Sequence, residues 1–177
     1  VCGWMDVREG RTTGKAEAMS AGTSGSFNPQ ETICWSREEA LKALLYQVPT
    51  DNAVWAKIFR RHLFDGIFMP EGKIYEDFAC TYRVFERAER VAYNPWKGYR
   101  YLLRGSSITG SDFTEKRMDL IDLADEMRDY LLPKYPQLAP AVWSRFFRAN
   151  CHIYLQIPTG KTFKAFRKRV EANIRLS

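Results

Sequence analysis

Apolar residues recur along this chain with two different periods. Val1 to Val7 is a run of strand-forming residues, and Thr32 to Trp35, Val54 to Phe59, Arg90 to Tyr93 and Lys97 to Leu103 are further β-type runs. Asn94-Pro95-Trp96 between the last two predicts a hairpin or a strand-to-strand turn. Helical spacing governs other stretches. Ser36 with Glu39 three residues on is a capping box, and Ala40, Leu41, Leu44 and Leu45 behind it predict a helix ending near Gln47. A short helical turn is expected at Arg61 to Phe64, broken by Asp65-Gly66. Phe78, Tyr82 and Phe85 stand at i, i+4 and i+7, which predicts a helix from Glu76 to Ala88 with those three rings on its buried face.

From Asp112 onward the pattern is helical throughout. Asp112 with Glu115 forms a second capping box, and Leu120, Ala124, Met127 and Leu131 supply one face before the expected interruption at Pro133 and Pro136. A helix from about Pro140 to Ile157 carries Val142, Phe146, Ala149 and Ile153 on one stripe and Trp143, Phe147 and Tyr154 on another, which predicts that it is sandwiched between neighbours. Pro158 and Gly160 close it. A last helix sets Phe163, Phe166, Val170 and Ile174 on one side and basic residues around the rest. Residues 9 to 30 are rich in Gly, Ser, Thr and Asn and read as a loop.

Composition narrows the class. With 177 residues, 45% apolar and 14% aromatic, the chain can fill one sizeable core. No run reaches the roughly 18 apolar residues of a membrane span, and no signal peptide is recognisable, so a soluble, cytoplasmic piece is expected. Because the sequence enters a strand at Val1, it reads as a fragment of a longer protein. Cys2, Cys34, Cys80 and Cys151 lack zinc-ligand spacing and read as reduced thiols. The net charge of +6 is concentrated at the end, where six basic residues from Lys161 to Arg175 face Glu171 alone. That distribution argues against a nucleic-acid-binding domain.

The densest chemistry lies in Pro70-Glu71-Gly72-Lys73-Ile74-Tyr75-Glu76-Asp77-Phe78, where two adjacent carboxylates meet the start of a helix. Carboxylates in a first turn complement the helix dipole by about 0.3 to 1 kcal/mol each, and that alternative role stays open here. His62 and His152 show no partner pattern and default to structural roles.

Three segments together carry a resemblance. Pro70 to Asp77, Trp55-Ala56-Lys57-Ile58-Phe59 and Arg104-Gly105-Ser106-Ser107-Ile108 resemble the acceptor-side half of a family 2 glycosyltransferase. The resemblance implies an α/β fold: residues 1–110 would form the C-terminal half of a GT-A type mixed-sheet domain, and residues 111–177 a helical extension. It implies that Asp77 is the general base of an inverting sugar transfer and that Glu76 binds the acceptor. Lys57 would face the cleft, while Arg104, Ser106 and Ser107 would lie over the donor diphosphate.

The match has departures. Ala56 stands where the family usually has Asn, Leu102 where a second Arg is often found, and the Gln-x-x-Arg-Trp motif of processive relatives is absent. The family's partners would be a nucleotide-sugar donor and a saccharide or lipid-linked acceptor. The Mn or Mg ion expected for the full-length enzyme would be held upstream of this sequence, so the fragment alone should hold no cofactor and be inactive. Residues 160–176 have the make-up of an interfacial helix, which adds peripheral contact with the inner face of the membrane as an expectation. The alternative reading is a basic interaction module that binds nucleic acid or an anionic membrane surface.

Overall fold

The computed structural model describes residues 1–8, 27–103 and 113–177. Its elements run β1 (Cys2–Arg8), β2 (Ile33–Ser36), α1 (Arg37–Tyr46), α2 (Glu76–Arg87), β3 (Arg90–Leu103), α3 (Asp119–Lys134), α4 (Ala139–Tyr154) and α5 (Lys164–Leu176). Short 3-10 turns stand at Pro29–Glu31, Arg61–Phe64, Glu115–Met118 and Pro136–Leu138. The protein is therefore mixed α/β, with a three-stranded sheet in the order β1-β3-β2.

The Ser36 capping box forms as the sequence predicts: Ser36 Oγ accepts from Glu39 N–H, and Glu39 Oε2 accepts from Ser36 N–H at 2.8 Å. At the other end Gln47 takes a left-handed conformation and closes α1. The buried rows of α1, α2 and α3 are those expected. Leu41, Leu44 and Leu45 meet Phe78, Tyr82 and Phe85, and Leu120, Ala124, Met127 and Leu131 complete the core. Helix α4 packs against α3, α5 and α1, so Val142, Phe146, Ala149 and Ile153 are buried while Phe147 remains 42% exposed. Burying each large side chain stabilises the fold by about 1.5 to 3 kcal/mol.

Three expectations are corrected. Arg90–Tyr93 and Lys97–Leu103 are not separated by a hairpin but belong to one 14-residue strand. The strand changes partner midway, pairing antiparallel with β2 up to Tyr93 and parallel with β1 from Asn94. Pro95 has no N–H for the ladder, and the register steps from Cys2 opposite Asn94 to Gly3 opposite Lys97, which leaves Pro95 and Trp96 looped out. Buried Asn94 stabilises this bulge from both ends: Oδ1 accepts from Trp96 N–H at 2.9 Å, and Nδ2 donates to Asn28 O and Thr32 Oγ1.

Val54–Phe59 is not a strand either. Ala56 sits at φ 57°, its carbonyl accepts from Cys2 N–H, and Ile58 is 97% exposed while Lys57 turns inward. Trp55 stacks on Tyr99 and Tyr101 with ring centroids 5.1 and 4.8 Å apart, so it packs the turn against β3. Pro133, finally, does not end α3, which continues to Lys134. In the last turn a proline forfeits one intrahelical bond with little helix left to disrupt.

The stripe of α5 packs inward, with Val170 fully buried and Phe163 and Phe166 against Phe113. Its basic residues are partly engaged, Arg169 with Asp122 and Asp125 and Arg167 over the Tyr154 ring. The loop at 9–26 and the Asp112 end of the second capping box lie outside the described residues.

The left-handed backbone at Ala56 gives a direct test. An L-residue with a Cβ is disfavoured there by about 1 to 2 kcal/mol, and Asn tolerates the conformation better. Ala56→Asn is expected to raise the free energy of unfolding by about 0.5 to 1 kcal/mol in urea denaturation. A loss of stability would refute the assigned conformation.

Candidate active site

An open cleft of about 450 Å³ lies where the loop after α1, the start of α2 and one face of α4 converge. Asp51, Tyr75, Asp77, Arg145, Arg148 and His152 are among its polar lining residues, and Phe78, Leu120 and Phe147 are among its apolar walls. The backbone around it is unusual. Gln47, Ala56 and Tyr75 are the non-glycine residues at positive φ among the described residues, and Gln47 and Tyr75 both line the cleft. For a bulky aromatic such as Tyr75, at φ 66°, that conformation is strained, and such strain concentrates at functional sites.

Tyr75 is the N-cap of α2 and gives it no side-chain cap. The strained turn instead sets Asp77 in the first turn with its neighbour Phe78 in the core at 2% exposure. Asp77 Oδ1 accepts a hydrogen bond from Phe78 N–H at 2.7 Å. Burial is the strongest influence on its carboxyl and pushes the pKa above the ordinary aspartate value, with Glu76 and Asp51 adding to the rise. The Phe78 hydrogen bond and Arg145 oppose it. A carboxylate so placed is a better proton acceptor than one in water.

Asp51 shares the cleft but is already paired. Its Oδ1 accepts from Lys57 Nζ at 3.3 Å and from Ala53 N–H at 3.1 Å, while Lys57 Nζ also donates to Ala53 O at 2.6 Å. The Lys57 side chain is only 2% exposed, and burial lowers its pKa despite Asp51.

Helix α4 contributes the opposite charge. Arg145, Arg148 and His152 follow one another at i, i+3 and i+7 and so share a face. The Arg145 guanidinium lies 4.6 Å from the centre of the Phe78 ring, and its Nε is buried with no hydrogen-bond partner. Burial first, then Arg148, pulls its pKa down to about 10, so it remains a cation at neutral pH. Arg148 Nη1 donates to Tyr46 O at the end of α1. Burial, with Arg117 and Arg145 nearby, lowers the His152 pKa and favours its neutral form. The His152 ring contacts Gln156 Nε2 at 2.8 Å, and Gln156 Oε1 in turn accepts from Arg117 at 2.6 Å.

The structure brings together only part of what the sequence suggests. Asp77 lines the cleft. Glu76 is exposed at the start of α2, and Lys57 is turned toward Asp51 rather than toward an acceptor because its ammonium finds its partners there. Arg104, Ser106 and Ser107 lie outside the described residues. Sequence reading missed Asp51 and the α4 row. Asp51 sits in a loop with no periodicity, and the apolar stripes of α4 draw attention from the polar face between them. Arg145, Arg148 and His152 at i, i+3 and i+7, between the apolar stripes of α4, were the available signal.

The cleft does not fit a divalent cation. Asp51 is committed to Lys57, and Arg145 and Arg148 line the same cleft as Asp77. Among the described residues no group of three or more His, Cys, Asp or Glu is arranged to hold a metal ion. No family model matches the sequence, and no curated protein matches it at a significant level.

Two measurements check this electrostatic picture. Because the Asp77 pKa is raised in the folded chain, its ionisation opposes folding: the penalty is absent below the ordinary carboxylate pKa and grows as pH rises through the folded value. Asp77→Asn should therefore be at least as stable as wild type at pH 7, with its relative advantage shrinking toward pH 3 in urea melts. Were Asp77 instead a first-turn carboxylate stabilised by the helix dipole, the variant would lose about 0.3 to 1 kcal/mol at pH 7. Separately, Asp51→Ala leaves Lys57 buried without its carboxylate and should destabilise by about 3 kcal/mol, whereas Lys57→Met should destabilise much less. Equal losses would contradict the pairing.

Proposed function

We propose that this chain is the acceptor-side part of an inverting glycosyltransferase of the GT-A type, with Asp77 as general base. The observation that carries the reading is the position of Asp77: a partly desolvated carboxylate with raised proton affinity, in the wall of an open cleft, on a rigid first helical turn. An acceptor hydroxyl is a weak nucleophile at neutral pH. As its oxygen attacks the anomeric carbon and the bond to the nucleotide diphosphate breaks, its proton passes to Asp77. Attack from the face opposite the leaving group inverts the configuration. Gln47, Asn52 and Tyr75 are available around Asp77 to hold further hydroxyls of a saccharide.

In this reading the nucleotide-sugar donor and its Mn or Mg ion are held by residues outside this sequence. Glu76 and Lys57 act on the site from behind, Lys57 by holding Asp51 in place. The mixed α/β architecture and the resemblance of Pro70 to Asp77 to the family's Glu-Asp segment support it. The alternative of a basic module on nucleic acid or an anionic membrane draws less support, because the apolar stripe of α5 is packed against the core. No helix among the described residues is long and apolar enough to cross a membrane.

Asp77→Asn in the protein with its donor-binding half should lower turnover by about 100-fold or more, with donor affinity nearly unchanged. The acid limb of the wild-type rate profile should lie above the ordinary aspartate range, since the base must be ionised to act. Nucleotide diphosphate release with an acceptor panel measures both. Turnover within a few-fold of wild type would exclude Asp77 as the base.

A further inference from the structure

The Gln156 side chain has no choice of orientation. Its Oε1 accepts from Arg117 Nη1 at 2.6 Å, and a guanidinium can only donate, so the amide oxygen must face Arg117. The amide nitrogen then donates twice to His152, to the backbone carbonyl at 3.1 Å and to the ring Nε2 at 2.8 Å. Both amide hydrogens are used. Because Nε2 receives a hydrogen bond it carries no proton, and the imidazole proton sits on Nδ1. The anchor of this chain is itself fixed: Arg117 is 6% exposed, and its Nη1 lies 3.5 Å from the hydroxyl of Tyr75, whose strained backbone sets Asp77.

Charging His152 would require Nε2 to donate, and the only group facing it is an amide nitrogen. Turning the amide over would set its hydrogens against the Arg117 guanidinium. The field of the surroundings acts in the same direction. Arg117 from the turn before α3 and Arg145 on α4 both oppose a second cation, and Arg148 lines the same cleft. Of the two acids in the cleft, Asp51 is held by Lys57, which leaves the Asp77 carboxylate; Tyr75 and Cys151 are the other titratable lining groups. His152 itself is exposed and lines the cleft, and with Nε2 covered by Gln156 the polar atom that its ring leaves to the cleft is Nδ1, which makes no hydrogen bond among the described residues.

We propose that His152 is a positioning residue of the cleft: Arg117, acting through Gln156, fixes it as the neutral Nδ1–H tautomer, and that N–H donates to a hydroxyl or ring oxygen of the saccharide whose reacting hydroxyl gives its proton to Asp77. The inference rests on the transferase reading for the word saccharide, while the tautomer stands on the hydrogen bonds alone. The cleft thus offers an acceptor of protons at Asp77 and an uncharged donor at His152, a pair that suits a ligand rich in hydroxyl groups. Neutrality also serves the base. An imidazolium in the same cleft would stabilise the Asp77 carboxylate and lower its proton affinity.

The tautomer can be read without any substrate. Long-range nitrogen–proton correlation spectra of the folded chain through a pH titration should show Nδ1 protonated and Nε2 bare, with His152 charging only below the ordinary value of about 6.5. Gln156→Glu puts a carboxylate at the ring and should raise that value above wild type and draw the proton of the neutral ring to Nε2. Gln156→Leu, which neither donates nor accepts, should raise it less. An Nε2–H ring in the wild type, or a titration unmoved by both variants, overturns the lock.

The donor role is read by replacement. Asn can place an amide nitrogen where the ring has Nδ1, whereas Phe keeps the ring and loses the donor. In the protein with its donor-binding half, His152→Phe should raise the acceptor KM about five- to tenfold with kcat little changed, and His152→Asn should stay within about twofold of wild type. His152 is exposed, so neither variant threatens the core. Equal KM values for the two variants overturn the positioning role and leave Asp77 as base untouched. Titration with methyl glycosides needs no transfer reaction: a glycoside that shifts the Asp77 carboxyl resonance should also shift the His152 Nδ1–H. One that moves Asp77 alone overturns the role, and a panel that moves neither overturns a saccharide as the ligand. If both resonances shift but no sugar is transferred to any acceptor, the transferase reading fails and the His152 site stands.

Discussion

Phe78 is fixed in the core, and almost everything at the candidate site follows from that. Its ring is buried among residues contributed by several helices and carries the Arg145 guanidinium on one face. Asp77 precedes it in the chain, so anchoring Phe78 anchors the carboxylate to within the freedom of one side chain. The backbone reaches this arrangement through a left-handed tyrosine, a conformation that the packing of Tyr75 against the core must stabilise. The rigidity of the start of α2 and the desolvation of Asp77 thus have a common origin in the helical core.

The electrostatics around Asp77 divide into a closed pair and an open one. Lys57 and Asp51 satisfy each other in a nearly buried contact and fix the loop that forms one wall of the cleft. Asp77 and Arg145 influence each other across the cleft without forming an ion pair. Burial raises the proton affinity of the carboxyl and lowers that of the guanidinium, and each moderates the shift of the other. Held apart in this way, the Asp77 carboxylate stays on the wall of the cleft without an ion-pair partner.

Much of the helical architecture was legible from local chemistry. The Ser36–Glu39 box, the Phe78–Tyr82–Phe85 stripe and the Leu120–Leu131 face depend on spacing within a few residues, and spacing is what a sequence displays. The β-type segments were less transparent because strand identity depends on distant partners. Val54–Phe59 carries strand-forming residues yet forms a turn, since Trp55 finds its packing on Tyr99 and Tyr101 and the Ala56 carbonyl finds Cys2. Asn94-Pro95-Trp96 looked like a turn yet forms a bulge, because β1 and β2 both pair with the same strand. At the site, Asp77 was legible from its motif. Arg145 and Arg148 were not, because their place at the site comes from the Arg145 side chain reaching the Phe78 ring, a contact between residues nearly seventy positions apart.

The account turns on Asp77 being a desolvated carboxylate rather than a helix cap. Its carboxyl carbon resonance, followed by NMR through a pH titration of the folded chain, measures this without reference to any substrate. A pKa above the ordinary aspartate value of about 3.9 is the result expected, with a further rise on replacing Arg145 by Met. A value at or below the ordinary one, as for a carboxylate stabilised by the helix N-terminus, would contradict the central claim.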